Sequence, residues 1–268
     1  PDSLFITYTT SNYSGFEIAC AGENSGEINI QVNGGTAPFN HYLNGITQNS
    51  YNITNLVAGN YIDSIIDFYG CSASVSITLY EPDTLNGSLT STQLDCYGDC
   101  DGEIYSNING GVSPYNLQWN NGDTTDTITG ICDGSYNLSI TDQNGCNENA
   151  TISLIEPDEL TSTYTKSDVS CFNANDGSAI VNFFGGTTGS VPGDTNYILG
   201  WQGLTTILFN PIAQFETSVV SPNGIPAGIY PYSVTDLNGC TIYDTITIIE
   251  PDSLFITYTT SNYSGFEI

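Results

Sequence analysis

The chain has 268 residues, enough for two or three domains of ordinary size. It carries 29 acids against one base, Lys166, and the resulting net charge of −28 argues against a nucleic-acid partner, since phosphate binding needs a basic surface. Eighteen Tyr and 11 Phe argue against disorder, and no run approaches the length of a membrane span.

Polar positions are filled by Asn, Thr, Ser and Gly, a strand-and-turn composition. Residues 1–18 and 251–268 are identical, which implies a repeating period of 250 residues. Within that period three modules follow one another, each closed by an Asp-x-x-Gly-Cys turn, an alternating run and Glu-Pro-Asp.

Residues 1–81 form the first module. Phe5, Ile6, Tyr8 and Thr10 suit an entering strand. Beyond Cys20, the residues Ile28, Ile30 and Val32 share one face at period two, as in a half-buried strand, and Gly34-Gly35 ends it. Pro38-Phe39 and Tyr42 start the next strand. Gly59-Asn60-Tyr61 leads to Gly70-Cys71, and Val75, Ile77 and Leu79 line a last strand. Asp63 stands where the other modules have Leu138 and Tyr232, so either the strand slips register there or that face is exposed.

The second module, residues 82–156, repeats this order through Cys96, Gly110-Gly111, Pro114-Tyr115, Trp119, Gly134-Ser135-Tyr136 and Cys146. The third, residues 157–250, does so through Cys171, Gly185-Gly186, Tyr197, Trp201, Gly228-Ile229-Tyr230 and Cys240. It carries 19 extra residues near 187–227, read as a longer loop or an added hairpin and as the place for a module-specific contact. Residues 251–268 begin the next identical period. Six or seven short strands per module predict an all-β fold of tandem immunoglobulin-like sandwiches.

The eight cysteines read as disulfides of a secreted protein. Cys20 and Cys71, Cys96 and Cys146, and Cys171 and Cys240 recur at the same two places of each module. Their spacing predicts one bond closing each module, worth about 2–4 kcal/mol. Cys100 and Cys132 are extra in the second module and pair most simply with each other.

His41 is the only histidine, and with a single Lys most nucleophile–base arrangements and zinc sites are unavailable, so no enzyme is expected. Trp119 and Trp201 occupy equivalent strands and suit a core between sheets, or stacking on sugar rings. No cofactor is required. Calcium is the metal that the acids suit, through hard oxygen ligands at Asp67, Asp99, Asp101, Asp142, Asp176 and Asp236; these acids are also ordinary turn formers. Asn-x-Ser/Thr acceptor sequences for N-glycosylation occur at Asn12, Asn52, Asn86, Asn137 and Asn149.

The second module reads Cys96, Asp101-Gly102-Glu103, Gly110-Gly111, Pro114-Tyr115, Trp119, Gly134-Ser135-Tyr136, Thr141-Asp142 to Cys146 and Glu156-Pro157. This combination resembles the SprB repeat of giant cell-surface adhesins of gliding Bacteroidetes. The third module lacks Pro-Tyr after its Gly-Gly. The first lacks the Trp and has Asp67-Phe-Tyr-Gly-Cys71 in its closing turn.

The resemblance implies export by the type IX route, an extracellular place at the cell surface, and a part in adhesion or gliding. It also makes the Asp-Ser/Thr-aliphatic residues Ser3, Ser64, Thr84, Thr127 and Thr245 candidates for O-glycosylation. The expected function is a stalk or filament segment, in line with tandem copies of itself in the same chain and with lateral filament partners. The alternative is a module binding surface polysaccharide through the third-module insertion or Tyr-rich faces. Modules in line would give an axial period of about 105–135 Å at about 3.3 Å per strand residue plus turns.

Overall fold

The structure is a computed structural model that describes residues 3–187, 195–201, 204–209, 216–219, 224–260, 262–263 and 266–267. Two compact units are present: Pro1–Thr92 with Gly102–Leu154, and Gln93–Asp101 with Ile155–Ile268.

Alternating sequence dictates the strands of the first unit. Its first sandwich is built from β1 (Phe5–Thr10), β2 (Gly26–Asn33), β3 (Asn40–Leu43), β4 (Ile46–Gln48), β5 (Asn52–Leu56), β6 (Gly59–Ile66) and β7 (Ser72–Leu79). One antiparallel sheet has the order β1-β2-β5 and the other β4-β3-β6-β7. Ile28 and Ile30 of β2 point inward together, as period two requires, and meet Ile18, Ile77 and Leu79 in the core.

The second sandwich has β8 (Asn86–Ser91), β9 (Gly102–Asn109), β10 (Asn116–Trp119), β11 (Thr127–Ile131), β12 (Gly134–Thr141) and β13 (Asn147–Leu154), with sheets β11-β9-β8 and β10-β12-β13. Trp119, Leu138 and Ile140 are fully buried between them. The Trp119 indole N–H donates to the carbonyl of Thr125 at 2.8 Å, which satisfies the one polar atom of that side chain.

The second unit holds β14 (Thr161–Ser167), β15 (Ser178–Phe184), β16 (Thr195–Trp201), β17 (Leu204–Phe209), β18 (Glu216–Val219), β19 (Gly228–Thr235) and β20 (Thr241–Ile248). The sheets are β14-β15-β18 and β17-β16-β19-β20. Trp201 lies parallel to the ring of Tyr230, 5.4 Å between centroids, in a core with Val181, Phe183 and Val234. The third-module insertion contributes β17 to a hairpin with β16. Its remaining parts, at 188–194, 202–203, 210–215 and 220–223, lie outside the described residues. Two short strands follow, β21 (Asn262–Tyr263) and β22 (Phe266–Glu267).

Each Gly-x-Tyr segment forms a tyrosine corner. The hydroxyls of Tyr61, Tyr136 and Tyr230 donate to the carbonyls of Val57, Cys132 and Pro226, each four residues upstream, at 2.9, 3.0 and 2.7 Å.

Residues 255–260 repeat the sequence of β1 but form no strand, and Leu254, Phe255 and Ile256 are exposed. The same six residues at the start of the chain are held by pairing with β2, from Phe5↔Asn33 to Thr10↔Ile28.

Asp63 corrects one expectation. The β6–β7 register runs unbroken from Gly59↔Leu79 to Ile66↔Ser72, and Asp63 is fully buried. Neither a slip nor an exposed face accommodates it. Its carboxylate meets Nε2 of His41 at 2.6 Å, and the His41 ring stacks on Tyr51. In the second sandwich the same two places hold Leu117 and Leu138, so the polar pair substitutes for an apolar one.

Candidate functional site

The Asp-x-x-Gly-Cys turn is built around its aspartate. Asp67, Asp142 and Asp236 are buried, and one carboxylate oxygen of each accepts two main-chain N–H bonds inside the turn. Asp142 Oδ1 takes those of Asn144 and Cys146 at 2.9 Å each. Asp67 Oδ1 takes those of Tyr69 and Cys71, and Asp236 Oδ1 those of Asn238 and Cys240. The other oxygen ties the turn to the segment after the Gly-Gly pair, through the N–H of Thr36, Val112 or Thr187. The short side chain of Asp fits this role because it mimics a turn of backbone. The result is a cysteine held in one place where the turn closes, its carbonyl accepting the N–H of the same aspartate.

The first cysteine of each module sits in an equally braced loop. Ser25, Asp101 and Asp176 occupy one position and accept the N–H of Ala19, Asp95 and Ser170. The glutamate of Glu-Pro-Asp closes the loop from the far end of the module. Glu81 Oε2 accepts the Gly22 N–H at 2.7 Å, Glu156 Oε2 that of Gly98 at 2.7 Å, and Glu250 Oε2 that of Asn173 at 2.9 Å.

The residues after that glutamate then enter the following module. The Asp83 carbonyl accepts the Gly111 N–H and the Asp158 carbonyl that of Gly186, both at 2.8 Å. Gly110 and Gly185 have φ of +69° and +75°, and a Cβ on either would collide with the carbonyl of Thr84 or Glu159. The Gly-Gly pair is therefore the seat of the incoming chain.

The bonds of Cys20, Cys96, Cys146 and Cys240 do not close single modules, and this corrects the pairing expected from spacing for the cysteines that recur in each module. Cys20 bonds to Cys146 and Cys96 to Cys240, each with Cα atoms 5.7 Å apart. The first cysteine of one module thus pairs with the closing cysteine of the following one. Cys71 and Cys171 are free and exposed. Cys100 and Cys132 are each disulfide-bonded.

The physical reason lies in the first sandwich. Cys20 is at the end where β6 starts: the Ile18 N–H donates to the Tyr80 carbonyl, and a Cβ on Gly26 would touch Leu79. Cys71 is beyond the other end of β6, about 26 Å away for eight residues at about 3.3 Å each. A disulfide needs Cα atoms within about 7 Å.

Around the Cys20–Cys146 bond the side-chain amide of Asn144 donates to the carbonyls of Tyr13 and Ala19, at 3.2 and 3.1 Å. Around Cys96–Cys240 the amide of Asn238 donates to the carbonyl of Asp95 at 3.1 Å. The grooves beside the bonds carry Glu23, Asp83 and Glu148 in one case and Asp99, Asp158 and Glu159 in the other. Like charges on both sides repel, and a covalent bond holds the junction independently of salt.

Other predicted residues fall as follows. Asp101 and Asp176 brace the loops described above, and Asp99 lines a junction groove. Among the described residues, no three His, Cys, Asp or Glu side chains are gathered for a metal ion. Calcium at Asp67, Asp142 or Asp236 would compete with the N–H donors already held there. Asn12, Asn52, Asn86 and Asn149 are exposed, whereas Asn137 is half-buried and bonds Thr151. Ser3, Thr84 and Thr245 are exposed, and Ser64 and Thr127 half-buried. No helix among the described residues is long and apolar enough to cross a membrane. Sequence reasoning missed the glutamate caps and the junction asparagines. The recurrence of Glu-Pro and of Asn-Gly-Cys was the available signal.

Among curated proteins, none matches the chain. Several solved structures are similar to it. The N-terminal eight Ig domains of Down Syndrome Cell Adhesion Molecule are 12% identical with a TM-score of 0.31, over 82% of this chain and 30% of that one. Extracellular domains 3–5 of Drosophila OTK are 12% identical with a TM-score of 0.29, over 80% and 85%. SGBP-B of a Bacteroides ovatus mixed-linkage glucan utilization locus is 14% identical with a TM-score of 0.21, over 84% and 63%. The chain thus spans less than a third of the length of the eight-domain molecule. The SprB-repeat profile matches residues 17–48, 88–124 and 163–191, one stretch in each module, each running from the braced cysteine loop or the strand before it past the Gly-Gly seat. The chain thus carries three matches to the SprB repeat in series, one in each module, and is similar to that family along its length.

Proposed function

We propose that the chain is a tension-carrying segment of an extracellular filament or stalk that supports adhesion or gliding at the cell surface. One observation carries this: Cys20–Cys146 and Cys96–Cys240 each bind a module to its successor, beyond the peptide link that already joins them. By loop-closure entropy each bond is worth up to about 5 kcal/mol for closures of this length. Its mechanical effect is larger. Pulling on the ends cannot part a braced loop from the turn of the next module without breaking a covalent bond. The proposed work is mechanical rather than catalytic. The disulfides and the repeat family both support a place outside the cell.

Electron microscopy of the full chain, oxidised and reduced, tests this reading. A narrow distribution of end-to-end distance that broadens on reduction is expected. A distribution unchanged by reduction would remove the mechanical role of the bonds. Native filaments are expected to show an axial repeat of about 105–135 Å for modules in line.

A second reading adds a polysaccharide ligand. Tyr8 and Tyr164 are exposed at equivalent positions of β1 and β14, and a flat exposed ring suits stacking on a sugar. Binding on a glycan array that Tyr8→Ala and Tyr164→Ala abolish would support it. No binding leaves the stalk alone.

A further inference from the structure

Cys71 and Cys171 are the two free thiols that a single pairing rule leaves over. The rule joins the first cysteine of a module to the closing cysteine of its successor, and it accounts for Cys20–Cys146 and Cys96–Cys240. Cys171 is the first cysteine of the third module, and Cys71 is the closing cysteine of the first. Residues 251–268 repeat 1–18, so a first-module strand sequence directly follows the third module. We infer that Cys171 of one 250-residue copy forms a disulfide with Cys71 of the copy that follows it, continuing the series of intermodule bonds across the period. The inference rests on the filament reading above.

Both halves of this junction are already presented as in the bonded ones. Asp67 holds the Tyr69 and Cys71 N–H groups in the geometry that Asp142 and Asp236 give Cys146 and Cys240. Asp176 and Glu250 brace the Cys171 loop as Asp101 and Glu156 brace that of Cys96. Both thiols are exposed, whereas bonded Cys146 is buried.

The surface beside Cys71 carries a second mark. At the place of the junction asparagines Asn144 and Asn238 stands Tyr69, 75% exposed, edge-on to Phe68, 64% exposed. Phe172 and Ile249 are exposed beside Cys171, as Tyr97 and Ile155 are beside the bonded Cys96, so the two cysteine loops present the same kind of surface. Tyr69 thus puts a ring on the Cys71 face where the two bonded turns carry a hydrogen-bonding amide. A junction that uses rings instead of an asparagine also distinguishes the copy boundary from the two internal ones, so modules join in the right order.

The bond forms by thiol–disulfide exchange. A disulfide of protein or small-molecule type accepts two electrons and becomes two thiols, while the Cys71 and Cys171 thiols become one disulfide and their protons pass to the departing thiolates.

The test is a chain of two 250-residue copies in series ending in 251–268, equilibrated in an excess of reduced over oxidised glutathione so that single thiols are not left as mixed disulfides, freed of glutathione and titrated for thiols. The bond leaves two free thiols, one Cys71 and one Cys171 at the outer ends, instead of the four that unlinked copies carry. Peptide mapping should show the inner Cys171 joined to the inner Cys71. Mixing isotopically light and heavy chains separates sources: the inferred bond is always within one label. Four thiols, or a bond of mixed label, overturns the inference. If the rods of the mechanical test persist while four thiols remain, this inference fails and the filament reading stands. Cys171→Ser should free the inner Cys71 and leave Cys20–Cys146 and Cys96–Cys240 intact, which shows that the copies still fold.

Discussion

The side-chain amide of Asn144 donates to the carbonyl of Ala19, the residue before Cys20, at 3.1 Å. The contact joins two modules next to a disulfide that already joins them. It positions the two sulfurs before they bond, so its effect belongs in the equilibrium of bond formation. Asn144→Ala removes this bond and the one to Tyr13 and is expected to cost about 1–1.5 kcal/mol. In exchange with glutathione, the constant for Cys20–Cys146 should fall about five- to tenfold, with Cys96–Cys240 unchanged as an internal control. An unchanged constant for Cys20–Cys146 would mean that the asparagine does not align the pair.

Gly110 makes a different demand. A side chain there meets a left-handed backbone at φ +69° and the Thr84 carbonyl at once. Strain of the first kind costs about 1–2 kcal/mol for an L-residue. Gly122 has φ +97° with open space around it and reports strain alone. Gly110→Ala is therefore expected to accelerate amide exchange in β9 and β10 well beyond Gly122→Ala. Equal effects would mean that the incoming chain simply shifts aside.

Much of this architecture is legible in the residues. Alternation at Ile28, Ile30 and Val32 gives a strand with one inward face, and Asp-x-x-Gly-Cys gives a turn, because both are local consequences of side-chain period and turn chemistry. The pairing of the cysteines is not local. Recurrence of Cys20 and Cys71 at fixed places invites pairing within a module, yet those places lie at opposite ends of β6. Strand direction, not spacing, decides which cysteines can meet. Asp63 was opaque for a similar reason. Its partner His41 is on another strand, and nothing in the alternation of β6 reveals that a polar residue in the inward series has a mate.

That buried pair can be taken apart. His41→Leu alone leaves Asp63 fully buried with no partner, a change expected to cost about 3–5 kcal/mol. Leu at both positions reproduces the apolar pair Leu117 and Leu138 of the second sandwich. The double variant is expected to lie within about 1 kcal/mol of the parent or to exceed it, by up to about 4 kcal/mol. Amide exchange in β3 and β6 of the full chain reads both, since unfolding of several modules together is not a single transition. A double variant as damaged as the single one would show that the pair contributes more than mutual neutralisation.

The same carboxylate gives the first sandwich a pH dependence of definite sign. Burial, opposed by the hydrogen bond and charge of His41, pushes Asp63 above its ordinary value of 3.8. A carboxyl raised in the fold binds its proton more tightly folded than unfolded. Its contribution to stability is complete below about pH 3.8 and is lost as pH rises through the raised value. Asp63→Asn cannot ionise and lacks that loss. Relative to the parent, this variant should therefore gain stability between about pH 3.8 and the raised value and stay level above it. Exchange of the β3 and β6 amides across that range measures the difference. A gap that widens in the parent's favour with rising pH would mean that the ionised carboxylate is the form the fold prefers, with His41 outweighing burial.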